Sequence, residues 1–155
     1  RNKLLEIDGK PVPGRKTKNG RSRIGRREDL QIFVRSGWEA SSLRYFNFKG
    51  IKWQYEPRVF FFDKIKHGNN SYTPDIYLPE KDIWIEIKGF LKSSDRAKIR
   101  RFKKFFPEEA AKLQVIVGSP KTAAAKFFKK EKIKIYAYYN QLTKVYRKKI
   151  PLWDE

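Results

Sequence analysis

The stretch that decides the reading is SYTPDIYLPEKDIWIEIKG, residues 71–89. Two extended runs, 72–78 and 82–88, flank Pro79-Glu80-Lys81, so the segment predicts a β-hairpin closed by Gly89. Side chains alternate along a strand, which puts Ile83, Ile85 and Ile87 on one face and Glu86 and Lys88 together on the other. Asp75 faces opposite to Ile76, and the hairpin can bring it beside Glu86. Two charges on one face of an otherwise apolar strand call for an explanation.

Upstream, Ser36 is placed to cap a helix running to about residue 49, with Gly50 to end it. Within it Glu39, Leu43 and Phe46 recur at helical spacing, which sets a carboxylate on the apolar stripe. From Ile51 the period changes to two, Val59 to Asp63 resumes an extended pattern, and His67-Gly68-Asn69-Asn70 reads as a turn. Downstream, a helix from Ser94 carries Ile99, Phe102 and Phe106 on one stripe and Arg96, Lys98, Arg100, Arg101, Lys103 and Lys104 over the rest, until Pro107. A buried strand at 113–117, a helix at 120–130, a strand at 133–138 and a helix at 139–149 complete the chain. The order, roughly αβββαβα, predicts an α/β fold with a mixed central sheet flanked by helices. Residues 1–30 read as a basic, partly flexible arm and 31–155 as one domain.

Composition narrows the partners. The chain has 155 residues with 37 Lys+Arg against 17 Asp+Glu, a formal charge of +20 that a polyanion would offset, so nucleic acid is the first partner to test. Without cysteine, thiolate metal sites and disulfides are excluded, and His67 as the sole histidine excludes a two-histidine metal site within the chain. His67 itself sits in a Gly-Asn turn and reads as a surface residue. No apolar run approaches the ~20 residues of a membrane helix, no targeting segment is visible, and nothing points to a small-molecule cofactor. The lack of Cys and Met with 35% charged residues leans towards a thermophilic source. Residues 10–27 hold eight basic residues and no acidic ones. Candidate phosphate contacts are Arg15, Lys16, Arg21, Arg23, Arg26 and Arg27 there, with Arg35, Arg96, Arg100 and Lys103 beyond it.

Glu39, Asp75, Glu86 and Lys88 together form a site of formal charge −2. Like charges packed closely stay ionised only when a cation joins them, and oxygen ligands suit Mg²⁺, or Mn²⁺ in its place. In this reading Asp75 and Glu86 are metal ligands, Glu39 completes the site, and Lys88 orients or helps deprotonate the attacking water. Each element alone has a plainer reading: a Glu-x-Lys pair is usually a solvated salt bridge, and Glu39 can pair with Arg35. The aromatics, among them Trp53, Tyr55, Phe60 to Phe62, Trp84, Phe102, Phe105 and Phe106, read as core.

The ordered combination is more specific. Asp75, Glu86 and Lys88 resemble the PD-(D/E)XK nuclease signature, and the text around them resembles the bacteriophage endonuclease I type of Holliday-junction resolvase. The resemblance is carried by RSGWE (35–39), GIKWQYE (50–56), SYTPDIYLP (71–79), IEIKG (85–89) and SSDRAK (93–98). It implies a restriction-endonuclease-like core, Mg²⁺-dependent paired nicking of four-way DNA junctions in recombination, and a strand-exchanged homodimer in the cytoplasm of a bacterial host. Glu39, Asp75, Glu86 and Lys88 match the family's active-site positions, with Glu39 completing the partner's site and the exchanged bridge around residues 57–70. Ser71 matches a place where resolvases hold a hydroxyl near the site. The chain departs from the family in having Gln54 where an additional glutamate occurs, one extra residue between the carboxylates, and no basic tail after IPLWDE. The competing expectations are a nuclease of linear DNA, of transposon-end or restriction type, and a non-catalytic basic nucleic-acid binder.

Overall fold

The computed structural model describes residues 15–16, 23–68 and 70–154. They form two compact units, one of the described residues within 52–142 and one of those up to 51 with those from 143 on.

In the unit that runs up to residue 51 and resumes at 143, β1 (Arg15–Lys16), β2 (Arg23–Arg27) and β3 (Ile32–Val34) pair antiparallel in that order. The arm expected over residues 1–30 is therefore strand and turn from residue 23 onward, while residues 1–14 and 17–22 lie outside the described residues. The physical reason is that two charges of β2, Arg26 and Arg27, have partners. Arg26 binds Glu28 at 2.9 Å, and buried Arg27 binds Asp154 at 3.1 Å. Helix α1 (Gly37–Phe48) opens as expected, with Ser36 Oγ accepting from the Glu39 amide at 3.2 Å. It closes on Gly50 at φ +70°, where the Gly50 and Ile51 amides donate back to Asn47 and Phe46 in a Schellman arrangement. Its Arg44 is buried between Asp29 (2.7 Å) and Asp154 (3.0 Å). Gly37 leaves space for this cluster, since a Cβ there would lie 2.9 Å from that of Asp154.

The other unit contains β4 (Gln54–Tyr55), β5 (Phe60–Phe61), β6 (Ser71–Tyr72), β7 (Ile76–Leu78), β8 (Ile83–Lys88), α2 (Ser93–Phe105), α3 (Pro107–Ala110), β9 (Leu113–Val117), α4 (Ala123–Lys130) and β10 (Lys134–Tyr138). Helix α5 (Tyr139–Tyr146) begins here. Five strands form a mixed sheet in the order β10-β9-β8-β7-β4, parallel across β10, β9 and β8 and antiparallel from β8 to β4. This is the expected α/β architecture with a mixed central sheet.

Element limits differ where backbone chemistry intervenes. The run 72–78 breaks into β6 and β7 because Pro74 removes a ladder donor, and β6 pairs with β5 instead. Pro107 starts α3 rather than only ending α2. Helix α4 starts at Ala123 because Thr122 caps it, its hydroxyl accepting from the Ala125 amide at 3.1 Å. The core gathers Phe60, Phe62, Tyr72, Trp84, Ile99, Phe102, Val115 and Phe128. Alternation leaves Phe61 exposed between its buried neighbours, against the expectation that all three phenylalanines pack inside.

Candidate active site

The β7–β8 register pairs Ile76 with Ile85 and Tyr77 with Trp84, so Asp75 falls opposite Glu86 on the shared face, as the hairpin predicts. Asp75 Oδ2 accepts from the Ile87 amide at 2.7 Å, which anchors that carboxylate across the two strands. Glu86 is 5% exposed in the middle of β8. One of its oxygens accepts from the Tyr72 hydroxyl at 2.6 Å, and the other lies 3.4 Å from Lys88 Nζ. Lys88 also reaches Asp95 at 3.3 Å, and the second Asp95 oxygen accepts from the Lys92 amide at 2.8 Å, at the start of α2. Tyr72, Glu86, Lys88, Asp95, Lys98, Ile99 and Phe128 line a space of about 10 Å³, the size of one water molecule. A nucleotide does not fit within it, so a large substrate would meet this site from outside.

The charges are tuned by burial. Desolvation pushes the Glu86 carboxyl above its usual range, although Lys88 and the Tyr72 hydroxyl favour the ionised form. Burial, with Glu86 next to it, raises the Tyr72 phenol well above its ordinary value, so it remains a donor. Burial alone would lower the Lys88 ammonium, but Glu86, Asp95 and Asp75 outweigh it and hold the lysine above its ordinary value.

Glu39 belongs to the other unit, on α1. Its carboxylate accepts from the Arg35 amide at 3.0 Å, and the side chain is buried. Among the described residues no group of three or more His, Cys, Asp and Glu is arranged to hold a metal ion. The donor set of Asp75 and Glu86 nevertheless fits a hard dication such as Mg²⁺, which takes one or two carboxylates and fills its shell with water and phosphate oxygens. Each carboxylate also has an oxygen oriented by a protein donor, the Ile87 amide or the Tyr72 hydroxyl.

Other candidates are placed differently. Ser71 precedes Tyr72 on β6, so alternation turns its hydroxyl away from the direction of Tyr72, and Ser71 does not line the space at Glu86. Arg27 is buried against Asp154 rather than presented to a phosphate. Arg100 and Lys103 bind Glu131 at 3.3 and 3.1 Å, and Arg96 and Arg100 lie over the Phe127 ring, so these three tie α2 to α4 and its end. Arg35 is exposed just before α1, while Arg15, Lys16 and Arg23 are described only as strand backbone and Arg21 lies outside the described residues. Tyr72 and Asp95 are the site residues that reading the sequence missed. The signals for them were weak: a tyrosine three places before Asp75, and an acid in the first turn of α2.

A buried carboxylate pair beside a lysine, on the sheet of a chain carrying +20, defines an α/β protein suited to acting on a polyanion. The family model of phage endonuclease I matches residues 22–150, and the chain belongs to that family. It is therefore a nuclease whose substrate is DNA. No curated protein matches it significantly. Among the described residues no helix is long and apolar enough to cross a membrane.

Proposed function

We propose that the protein is a structure-selective endonuclease that nicks branched DNA, four-way junctions foremost, by divalent-metal-dependent phosphodiester hydrolysis on a PD-(D/E)XK-type site. The observation that carries this reading is the placing of Asp75 opposite Glu86, with Lys88 on the same face of β8. Asp75 and Glu86 hold the cation, and Mg²⁺ or Mn²⁺ when bound supplies charge neutralisation at the phosphate and a more acidic water. Tyr72 fixes the Glu86 carboxylate, and the Ile87 amide fixes Asp75. Lys88, kept protonated by the surrounding carboxylates, counters the charge that develops on the phosphate. Of the two roles expected for it, this one fits its state better than that of a base.

Paired, symmetric nicks need two sites, which a homodimer supplies. Glu39, on the unit that does not contain the other three residues, is assigned to complete the site of the second subunit. A Glu39→Ala chain mixed with a Lys88→Ala chain is then expected to regain roughly one working site per heterodimer. No recovery would reject the exchange.

The direct test compares an immobile four-way junction with linear duplex of the same sequences, in Mg²⁺, using wild type and Glu86→Gln. Symmetric nicks confined to the junction and lost in the variant are expected. Equal cutting of both DNAs would reject junction selectivity. Binding without cutting would reject the catalytic site and leave only a basic binder.

A further inference from the structure

Helix α2 presents Arg96, Lys98, Arg100, Arg101, Lys103 and Lys104, and these are not equivalent. Arg100 and Lys103 are bound to Glu131, Arg96 and Arg100 lie over Phe127, and Lys104 lies over Phe105. Lys98 differs in position and in pairing. It lies three residues after Asp95 and one before Ile99, on the helix stripe that continues into buried Phe102. That stripe is apolar except in its first turns, where Asp95 and Lys98 meet Glu86 and Lys88 around the water-sized space. The Asp95 carboxylate is already engaged by Lys88 and the Lys92 amide. The Lys98 side chain has no ion pair or hydrogen bond among the described residues.

The ammonium of a half-buried lysine without a carboxylate partner, on the wall of a site that acts on a polyanion, is left for an anion from outside. We propose that Lys98 binds a non-bridging oxygen of the DNA phosphate at the cleavage position, beside Lys88. The inference rests on the nuclease reading of the same site and goes beyond it by adding a phosphate contact from α2. The plainer alternative is that its aliphatic stem merely covers apolar surface near Ile99 and Phe128.

Lys98→Met keeps most of the stem and removes the charge, Lys98→Arg keeps a charge, and Lys81→Met, at the far end of the hairpin, removes a charge elsewhere. Binding of DNA is measured in EDTA, without cleavage, across a salt titration. The DNA is natural or carries one methylphosphonate, scanned through the positions around the cut. Lys98→Met is expected to weaken binding about tenfold and to lower the salt slope by about one, with Lys98→Arg recovering most of both. One neutral phosphate at the cleavage position should erase the difference between wild type and Lys98→Met. The proposal is overturned if Lys98→Met binds like Lys81→Met, or if its deficit persists at every methylphosphonate position. A wild type that binds but fails to cut in Mg²⁺ would sink the nuclease reading, while the binding scan would still decide whether Lys98 holds a phosphate. An unchanged unfolding midpoint in Lys98→Met would show that the loss is not one of folding.

Discussion

Glu86 is buried against one neutral donor and one cation, and the two contacts do different things. Tyr72 sets the direction of the carboxylate, whereas Lys88 compensates its charge. Tyr72→Phe removes the orienting hydroxyl while keeping the ring that packs against Phe102, so folding should be retained. Cleavage is expected to fall about 10–100-fold, as when the supports of a metal ligand are lost, and single-turnover rates at saturating Mg²⁺ test this. A wild-type rate would show that Glu86 needs no such support. Asp95→Asn should act through Lys88 instead, slowing cleavage without changing the Mg²⁺ concentration that gives half the rate; a shift in that concentration would place Asp95 among the metal-binding groups. Asp75, Glu86 and Lys88 were legible in the sequence because a period of two is enough to put them on one face. Tyr72 and Asp95 were not, since each reaches the site from an element whose docking depends on the tertiary fold.

At the scale of elements, α1 shows local chemistry deciding structure. Gly50 sits at φ +70° with nothing within 4 Å of where a Cβ would stand, so Gly50→Ala should cost only the backbone strain, about 1 kcal/mol, in a urea titration. A neutral result would mean that α1 is held mainly by its packing. Both helix caps, the β8 run and β9 were readable from short-range signals. The β2–β3 hairpin was not, because β2 lies in a basic stretch without acidic residues and the acid that neutralises Arg27 lies 127 residues away. The joint between α2 and the end of α4 carries a pH dependence. Burial alone would raise the Glu131 carboxyl, but its bonds to Lys103 and Arg100 bring it below its ordinary value. A lowered folded-state pKa gives stability that is present above the unfolded value and lost as pH falls through the folded one. Glu131→Gln should therefore flatten stability against pH on the acid side; an unchanged profile would show that this joint adds nothing.

At the scale of the whole molecule, charge has two separate uses. The net +20 suits DNA, yet Arg27 and Arg44 are internal and serve the fold. Asp154→Ala leaves Arg27 without the carboxylate at 3.1 Å and should cost about 3–5 kcal/mol, read from the urea midpoint. A loss under 1 kcal/mol would show that water replaces the pair. Deleting residues 1–22 removes five of the eight basic residues in the 10–27 stretch but spares β2, and it should flatten the salt dependence of DNA binding. An unchanged slope would reject phosphate contacts from that region. Deletion to residue 27 removes Arg27 as well, and a loss of binding there would report unfolding instead.

The unit that carries Glu39 is assembled from described residues on both sides of residues 52–142. During translation, Arg27 and Arg44 leave the ribosome more than a hundred codons before Asp154, which accepts from both of them. The inserted unit is thus fully synthesised while the outer one still waits for its counter-charge. A chain stopped before residue 154 holds Asp75, Glu86 and Lys88 but lacks the counter-charge of the Glu39 unit, so under the proposed site composition it is expected not to cut DNA.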